Sequence, residues 1–299
     1  MIKVKVPASS ANMGPGFDCM GVALNMYNEV CIEQIDARGV EVVVLDDSRR
    51  FLPTDENNYV YAAMNRVFAK AGKKFGGYRI TINNAIPITR GLGSSSAGIV
   101  SGLAGANYIL GNPLPVDELL NIACDIEGHP DNVAPALLGG FVVSFRDGDK
   151  VRYIKTDVSQ DITFGAMIPD FYFQTKKSRN VLPRYVSHKN AVYNVGRAAF
   201  VAASFMKGDL SEIGAGVKDR LHQGYRISHI KDADYVMRLC RRTGADACYL
   251  SGAGPTIMAL ITGDETMFKN KIARATDAKL RDWNLTMLKA DNNGVQVFE

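Results

Sequence analysis

The sequence predicts an α+β protein built as two mixed α/β layers, one in each half of the chain. Three observations carry this. Short runs rich in β-branched residues alternate with glycine and proline turns, the pattern of hairpin-joined strands. Between them, apolar residues recur at helical spacing, as at Val60, Ala63, Met64, Val67 and Phe68. Around residues 155–161 the chain turns polar (Lys155, Asp157, Ser159, Gln160, Asp161), which sets a boundary between domains at 1–156 and 157–299. With 299 residues, each half has enough chain for its own core.

Residues 2–6 alternate apolar side chains with lysine, a strand with one solvated face. Further strands are predicted over 22–25, 29–35, 40–45 and 79–83. Residues 54–57 have the composition of a helix start, and Gly72 closes the helix that follows. A second helix is expected over 95–110 and a third after Pro113 and Pro115. Residues 141–145 read as a strand, and Asp147-Gly148-Asp149 as a hairpin turn. In the second half, strands are expected at 164–168, 247–250, 257–261, 285–289 and 295–298. Helices are expected at 190–206, 232–242 and 265–281, and Lys176-Lys177-Ser178-Arg179 as a short basic loop.

Composition excludes several classes. The chain is 46% hydrophobic and 22% charged, ordinary for a globular protein. A net charge of +4 is too mild for a nucleic-acid binder, and no arginine-rich run with interleaved aromatics is present. No apolar run approaches membrane-spanning length, and the N-terminal residues enter a strand pattern with no signal-peptide core. The five cysteines are widely spaced with no CxxC pair, so free thiols and a cytoplasmic protein are expected.

The most informative stretch is Pro87-Ile88-Thr89-Arg90-Gly91-Leu92-Gly93-Ser94-Ser95-Ser96-Ala97, a glycine- and serine-rich loop between a strand and a helix. Helix N-termini carry unpaired N–H groups and partial positive charge, and so favour anions. The loop fits neither GxGxxG, because Ser96 stands where the third glycine belongs, nor the P-loop, because no GK[ST] follows. Its single cation is Arg90, so a phosphate held here needs charge from a metal or from elsewhere in the chain. A serine-capped helix packed through Gly98, Gly102 and Gly105 explains the loop equally well when it is taken alone.

Three other stretches stand out. Asn12 to Asp18 surrounds the rigid turn Gly14-Pro15-Gly16, which could present Asn12 and Asp18 to one pocket. Asp125-Ile126-Glu127-Gly128-His129-Pro130-Asp131-Asn132 gathers ionisable groups around a backbone fixed by glycine and proline. Zinc-type ligand spacing is absent there, and a carboxylate beside phosphates suits Mg²⁺ better. Ser251-Gly252-Ala253-Gly254-Pro255-Thr256 lies between two apolar strands and implies close backbone approach.

Taken together these stretches resemble the GHMP small-molecule kinases. The loop at 87–97 is similar to that family's phosphate-binding motif, and Gly252-Ala253-Gly254-Pro255-Thr256 to its C-terminal glycine motif. Residues 7–18 and 127–135 resemble the branch that acts on L-homoserine. The resemblance implies an N-terminal domain like the second domain of ribosomal protein S5 and a ferredoxin-like C-terminal domain. It implies transfer of the γ-phosphoryl of ATP, with Mg²⁺, to the side-chain hydroxyl of L-homoserine, in threonine synthesis. It further implies ATP phosphates on 87–97, Mg²⁺ between Ser95 and Glu127, and substrate contacts at Asn12, Asp18, His129, Arg179 and Arg226. Asp131 and Asn132 fall in the segment where relatives place a catalytic group, with no dedicated base required. Asn57 and Asn58 are candidate adenine contacts. The expected partner is the small-molecule acceptor, with no nucleic acid and no membrane, and with a homodimer left open. A kinase for mevalonate or a sugar, and a silent nucleotide-binding protein on the same scaffold, are the competing readings.

Overall fold

The computed structural model describes residues 1–171 and 175–299, with backbone alone for 175–177 and 277–279. Strands β1 (Ile2–Ala11), β2 (Met20–Gln34), β3 (Gly39–Val44), β4 (Gly77–Asn84), β5 (Phe141–Asp147) and β6 (Lys150–Thr156) build the first sheet. Its path is β11-β1-β2-β4-β3, where β11 (Gln296–Phe298) comes from the chain end, and β5 adds to β2 and β6 to β5. Ile2, Val4 and Val6 of β1 point into the core while Lys3 and Lys5 face out, as the alternation requires. The sequence predicted two strands within 22–35, but the chain makes one. The register slips between Pro7 and Ala8, and Asn25 and Met26 are the extra residues on β2.

Helices α1 (Tyr59–Lys70), α2 (Ser94–Ile109), α3 (Val116–Glu127) and α4 (Pro130–Leu138) pack with this sheet. Gly98 and Gly102 let α1 lie against α2, while Gly105 faces Ile32 and Val4 of the sheet. The helix α4 is not among the predicted elements. Pro130 stands at its first position, where a missing N–H costs nothing. Pro135 sits inside it and cannot donate to the Asp131 carbonyl, which abuts Gly21 instead, where a Cβ would collide.

The second sheet has β7 (Thr163–Pro169), β8 (Ala247–Leu250), β9 (Ile257–Ile261) and β10 (Trp283–Leu288) in the antiparallel order β10-β7-β9-β8. Ahead of β8 come α5 (Thr175–Asn180), α6 (His188–Lys207), α7 (Ile213–Gly216), α8 (Gln223–Ile227) and α9 (Ala233–Thr243). The helix α10 (Glu265–Lys279) then packs with α9 and β10. Residues 176–179, expected as a loop, belong to helix α5, and the side chains of Lys176 and Lys177 lie outside the described residues. One apolar cluster joins both sheets, from Val4 and Leu24 to Phe164 and Leu260, and Phe141 of β5 stacks on Phe205 of α6 at 4.5 Å. The site lies along this junction.

Candidate active site

The three glycine-bearing stretches interlock by backbone contact. Gly91 and Gly93 adopt φ of +77° and +73°, in the left-handed region that favours glycine. A Cβ on Gly91 would strike the Ser251 carbonyl, and one on Gly93 would strike the Ser9 hydroxyl. Ser251 Oγ donates to the Gly91 carbonyl at 2.6 Å, and Ser9 N–H donates to the Leu92 carbonyl at 3.1 Å. The Asn12 amide donates to the Gly252 carbonyl at 2.9 Å. The loop at 87–93 is thus clamped between β1 and the β8–β9 turn. It ends at Gly93, the cap of α2, where, among the described residues, no side chain takes up the first-turn N–H groups of Ser94, Ser95 and Ser96.

Glu127 closes α3, and Gly128, in the left-handed region, turns the chain toward α4. This brings the Glu127 carboxylate to the α2 start, where it accepts from Ser96 Oγ at 2.8 Å and Ser95 Oγ at 3.1 Å. A cavity of about 690 Å³ passes over this point. One end is walled by Asp18, His129, Asp131, Asn132, Arg179 and Arg226. The other is mainly apolar, with Val30, Phe51, Leu52, Tyr59, Val60 and Ile82.

At the charged end, Arg179 forks onto both oxygens of Asp18, at 2.9 and 3.1 Å. His129 Nδ1 bonds to Asp131 Oδ1 in a short contact. Burial by itself would lower the His129 pKa. The bond to Asp131, its charge and those of Glu127 and Asp18 outweigh burial and raise it above the ordinary imidazole value. Asn132 Oδ1 accepts from Ser9 Oγ at 2.9 Å. Arg226 is buried. It donates to the carbonyls of Ser178 and Gly252, each at 3.2 Å, and lies over the Phe17 ring at 5.2 Å. Burial and the neighbouring Arg179 charge bring its pKa down to about 10, so it stays a cation at neutral pH.

Residues 58–140 match the GHMP kinases N terminal domain, and residues 201–275 match the GHMP kinases C terminal family. The chain is 46% identical to a homoserine kinase of Clostridium beijerinckii, over all of this chain and 99% of that one. It is 45% identical to a homoserine kinase of Caldicellulosiruptor saccharolyticus, over all of this chain and 97% of that one. The chain belongs to the homoserine kinases of the GHMP family. The crystal structure of homoserine kinase from Cytophaga hutchinsonii superposes with a TM-score of 0.90 at 32% identity, covering 99% of this chain and 97% of that one. A mevalonate kinase structure at 14% identity and TM-score 0.72 shares the fold alone.

Within this homoserine kinase fold, Asn12, Asp18, His129, Asp131, Asn132, Arg179 and Arg226 border one cavity with Ser95 and Glu127. The details differ in four places. Asn12 spends its amide inside the protein, accepting from Asp18 N–H at 2.9 Å and donating to Gly252, so it shapes the turn. Among residues 87–97, Ile88, Thr89, Gly91, Gly93, Ser94 and Ser95 line the cavity, and Pro87, Arg90, Leu92, Ser96 and Ala97 do not. Arg90 turns away and donates to the carbonyls of Pro169 and Asp170, both at 2.8 Å. Asn58 caps α1 through Val60 N–H and donates to Pro53, while Asn57 bonds to Asp55 and lies outside the lining. Sequence reasoning missed Ser9, which fixes Asn132, and the apolar wall of Phe51, Leu52 and Tyr59. Ser9 lies beyond the strand predicted over 2–6, although β1 runs on to Ala11, and scattered apolar residues carry no signal of a ligand.

Proposed function

We infer that this chain phosphorylates the side-chain hydroxyl of L-homoserine with ATP, yielding O-phospho-L-homoserine. The observation that carries this is a single cavity in which a carboxylate–guanidinium set lies at one end and an anion-ready loop beside it. Homoserine is a zwitterion, so its carboxylate matches Arg179 and Arg226 and its ammonium matches Asp18. The first-turn amides of α2 suit the ATP phosphates, and the apolar wall at Phe51, Leu52 and Tyr59 suits the adenine.

Ser95 and Glu127 offer hard oxygen donors in contact with each other beside the loop, a donor set that fits Mg²⁺. Bound there, the ion would neutralise phosphate charge that a lysine-free loop leaves uncompensated. We assign Asp131 and Asn132 to orienting the acceptor hydroxyl, Asn132 being held by Ser9 and Asp131 by His129. In-line attack by the homoserine oxygen on the γ-phosphorus forms one P–O bond as the bond to ADP breaks, and the hydroxyl proton is released to solvent. This transfer depends chiefly on position and charge. A cytoplasmic location belongs to the same reading: the five cysteines are free thiols, and among the described residues no helix is long and apolar enough to cross a membrane.

The test is ADP release from ATP and Mg²⁺ with L-homoserine, D-homoserine, L-threonine, mevalonate and galactose in parallel. Turnover with L-homoserine well above the rest is expected. Turnover with mevalonate or galactose instead would keep the kinase and discard the acceptor.

A further inference from the structure

Asp219 organises the segment that leads into α8. It accepts backbone N–H bonds from Leu221, His222 and Gln223 at 3.0, 2.8 and 2.7 Å, and the Asn194 amide at 2.8 Å. This fixes His222, which is fully buried and stacked on Phe17 with ring centroids 5.1 Å apart. His222 Nε2 lies 2.7 Å from the Gly14 carbonyl, and Nδ1 lies 3.2 Å from Arg226 Nη1. A carbonyl can only accept and a guanidinium can only donate. The two partners therefore dictate one tautomer, neutral imidazole with its proton on Nε2. Burial and then the Arg226 charge favour the neutral form, and they outweigh Asp219, 3.9 Å from Nε2, and the more distant Asp18.

We propose that His222 is a positioning residue for homoserine phosphorylation. Its Nδ1 takes one N–H of Arg226 while its Nε2–H holds the Gly14 carbonyl, so the guanidinium and the turn bearing Asp18 are set in one register. His222 itself does not line the cavity. It acts through Arg226, and the proposal rests on the reading of Arg226 as a ligand of the substrate carboxylate. The backbone around Gly14 admits little slack, since a Cβ there would collide with the Val217 carbonyl. The imidazole thus spans two surfaces that already fit closely.

Two substitutions separate this role from simple packing. In His222→Asn the amide oxygen falls near the Nδ1 position and keeps the acceptor for Arg226. In His222→Gln the amide nitrogen falls near Nε2 and keeps the donor to Gly14 while losing that acceptor. His222→Gln is expected to raise the homoserine KM about tenfold with the ATP KM unchanged, and His222→Asn to stay within about threefold of wild type. Equal effects of the two, or an effect on both substrates alike, would overturn the proposal. Arg226→Ala is run beside them. If it leaves the homoserine KM unchanged, the carboxylate reading fails and the proposal falls with it. If it raises that KM while His222→Gln does not, the reading stands and the proposal alone is lost. Should either His222 variant fail to fold, ¹⁵N shifts of the His222 ring in the wild-type protein decide: the Nε2–H neutral tautomer is expected at pH 7, and an imidazolium or an Nδ1–H tautomer would contradict it.

Discussion

His129 and Asp131 form an ionisable pair at the charged end of the cavity, two residues apart across the start of α4. Although burial opposes charge on the ring, the Asp131 carboxylate raises the folded pKa of His129 above 6.5. The unfolded chain has no such partner. Linkage then fixes the sign: the pair's contribution to stability is complete below about pH 6.5 and is lost as pH rises through the raised folded value. The Tm advantage of wild type over His129→Gln should be largest at pH 5–6 and shrink toward pH 8. A difference that grows with pH, or one that stays flat, would mean the imidazole is not held charged by Asp131. That Asp131 and His129 would meet was not legible in Asp125 to Asn132, because the helix that brings them together starts between them at a proline.

At the scale of elements, the loop at 87–93 is a packing device as well as the proposed phosphate cradle. Its glycines match carbonyls and hydroxyls from β1 and from the β8–β9 turn. Gly93→Ala should cost about 1–2 kcal/mol, from the positive φ and from contact with Ser9, and it should also lower turnover by disturbing the α2 start. Denaturant unfolding and steady-state rates measure both effects, and unchanged values of each would contradict this account. The long α2 was legible from the glycine–serine start that leads into it, and the hairpin of β5 and β6 from its turn residues. The helix α4 was not, since Pro130 and Pro135 read as breakers and Gly21, against which the carbonyl freed by Pro135 packs, lies 114 residues away in sequence. The α5 turn was equally hidden, because six residues carry too little periodicity.

At the scale of the molecule, two sheets share one apolar cluster, and polar ties cross between them. Arg90 is the clearest tie: it reaches from the loop at 87–93 to the end of β7. Arg90→Leu leaves two carbonyls without their charged donor and should destabilise the protein by about 2 kcal/mol, read from the urea midpoint. A midpoint within error of wild type would show that this tie adds nothing to the junction. The sequence marked Arg90 as the loop's cation, but only the tertiary path of β7 shows that its charge is used on backbone carbonyls. Likewise the pairing of β11 with β1 rests on three residues, too few for local pattern to reveal. The motifs were legible because each carries rare backbone chemistry, and their meeting place was not, because it depends on how the two sheets are joined.

On the proposed reading, paired charges at one end of this cavity select an amino-acid acceptor. The most direct measurement is the homoserine KM of Arg179→Ala, taken with the ATP KM of the same protein. Arg179 lies at the acceptor end and forks onto Asp18, so the homoserine KM should rise at least about tenfold while the ATP KM stays near wild type. A homoserine KM that does not move, in a folded variant, would contradict the claim.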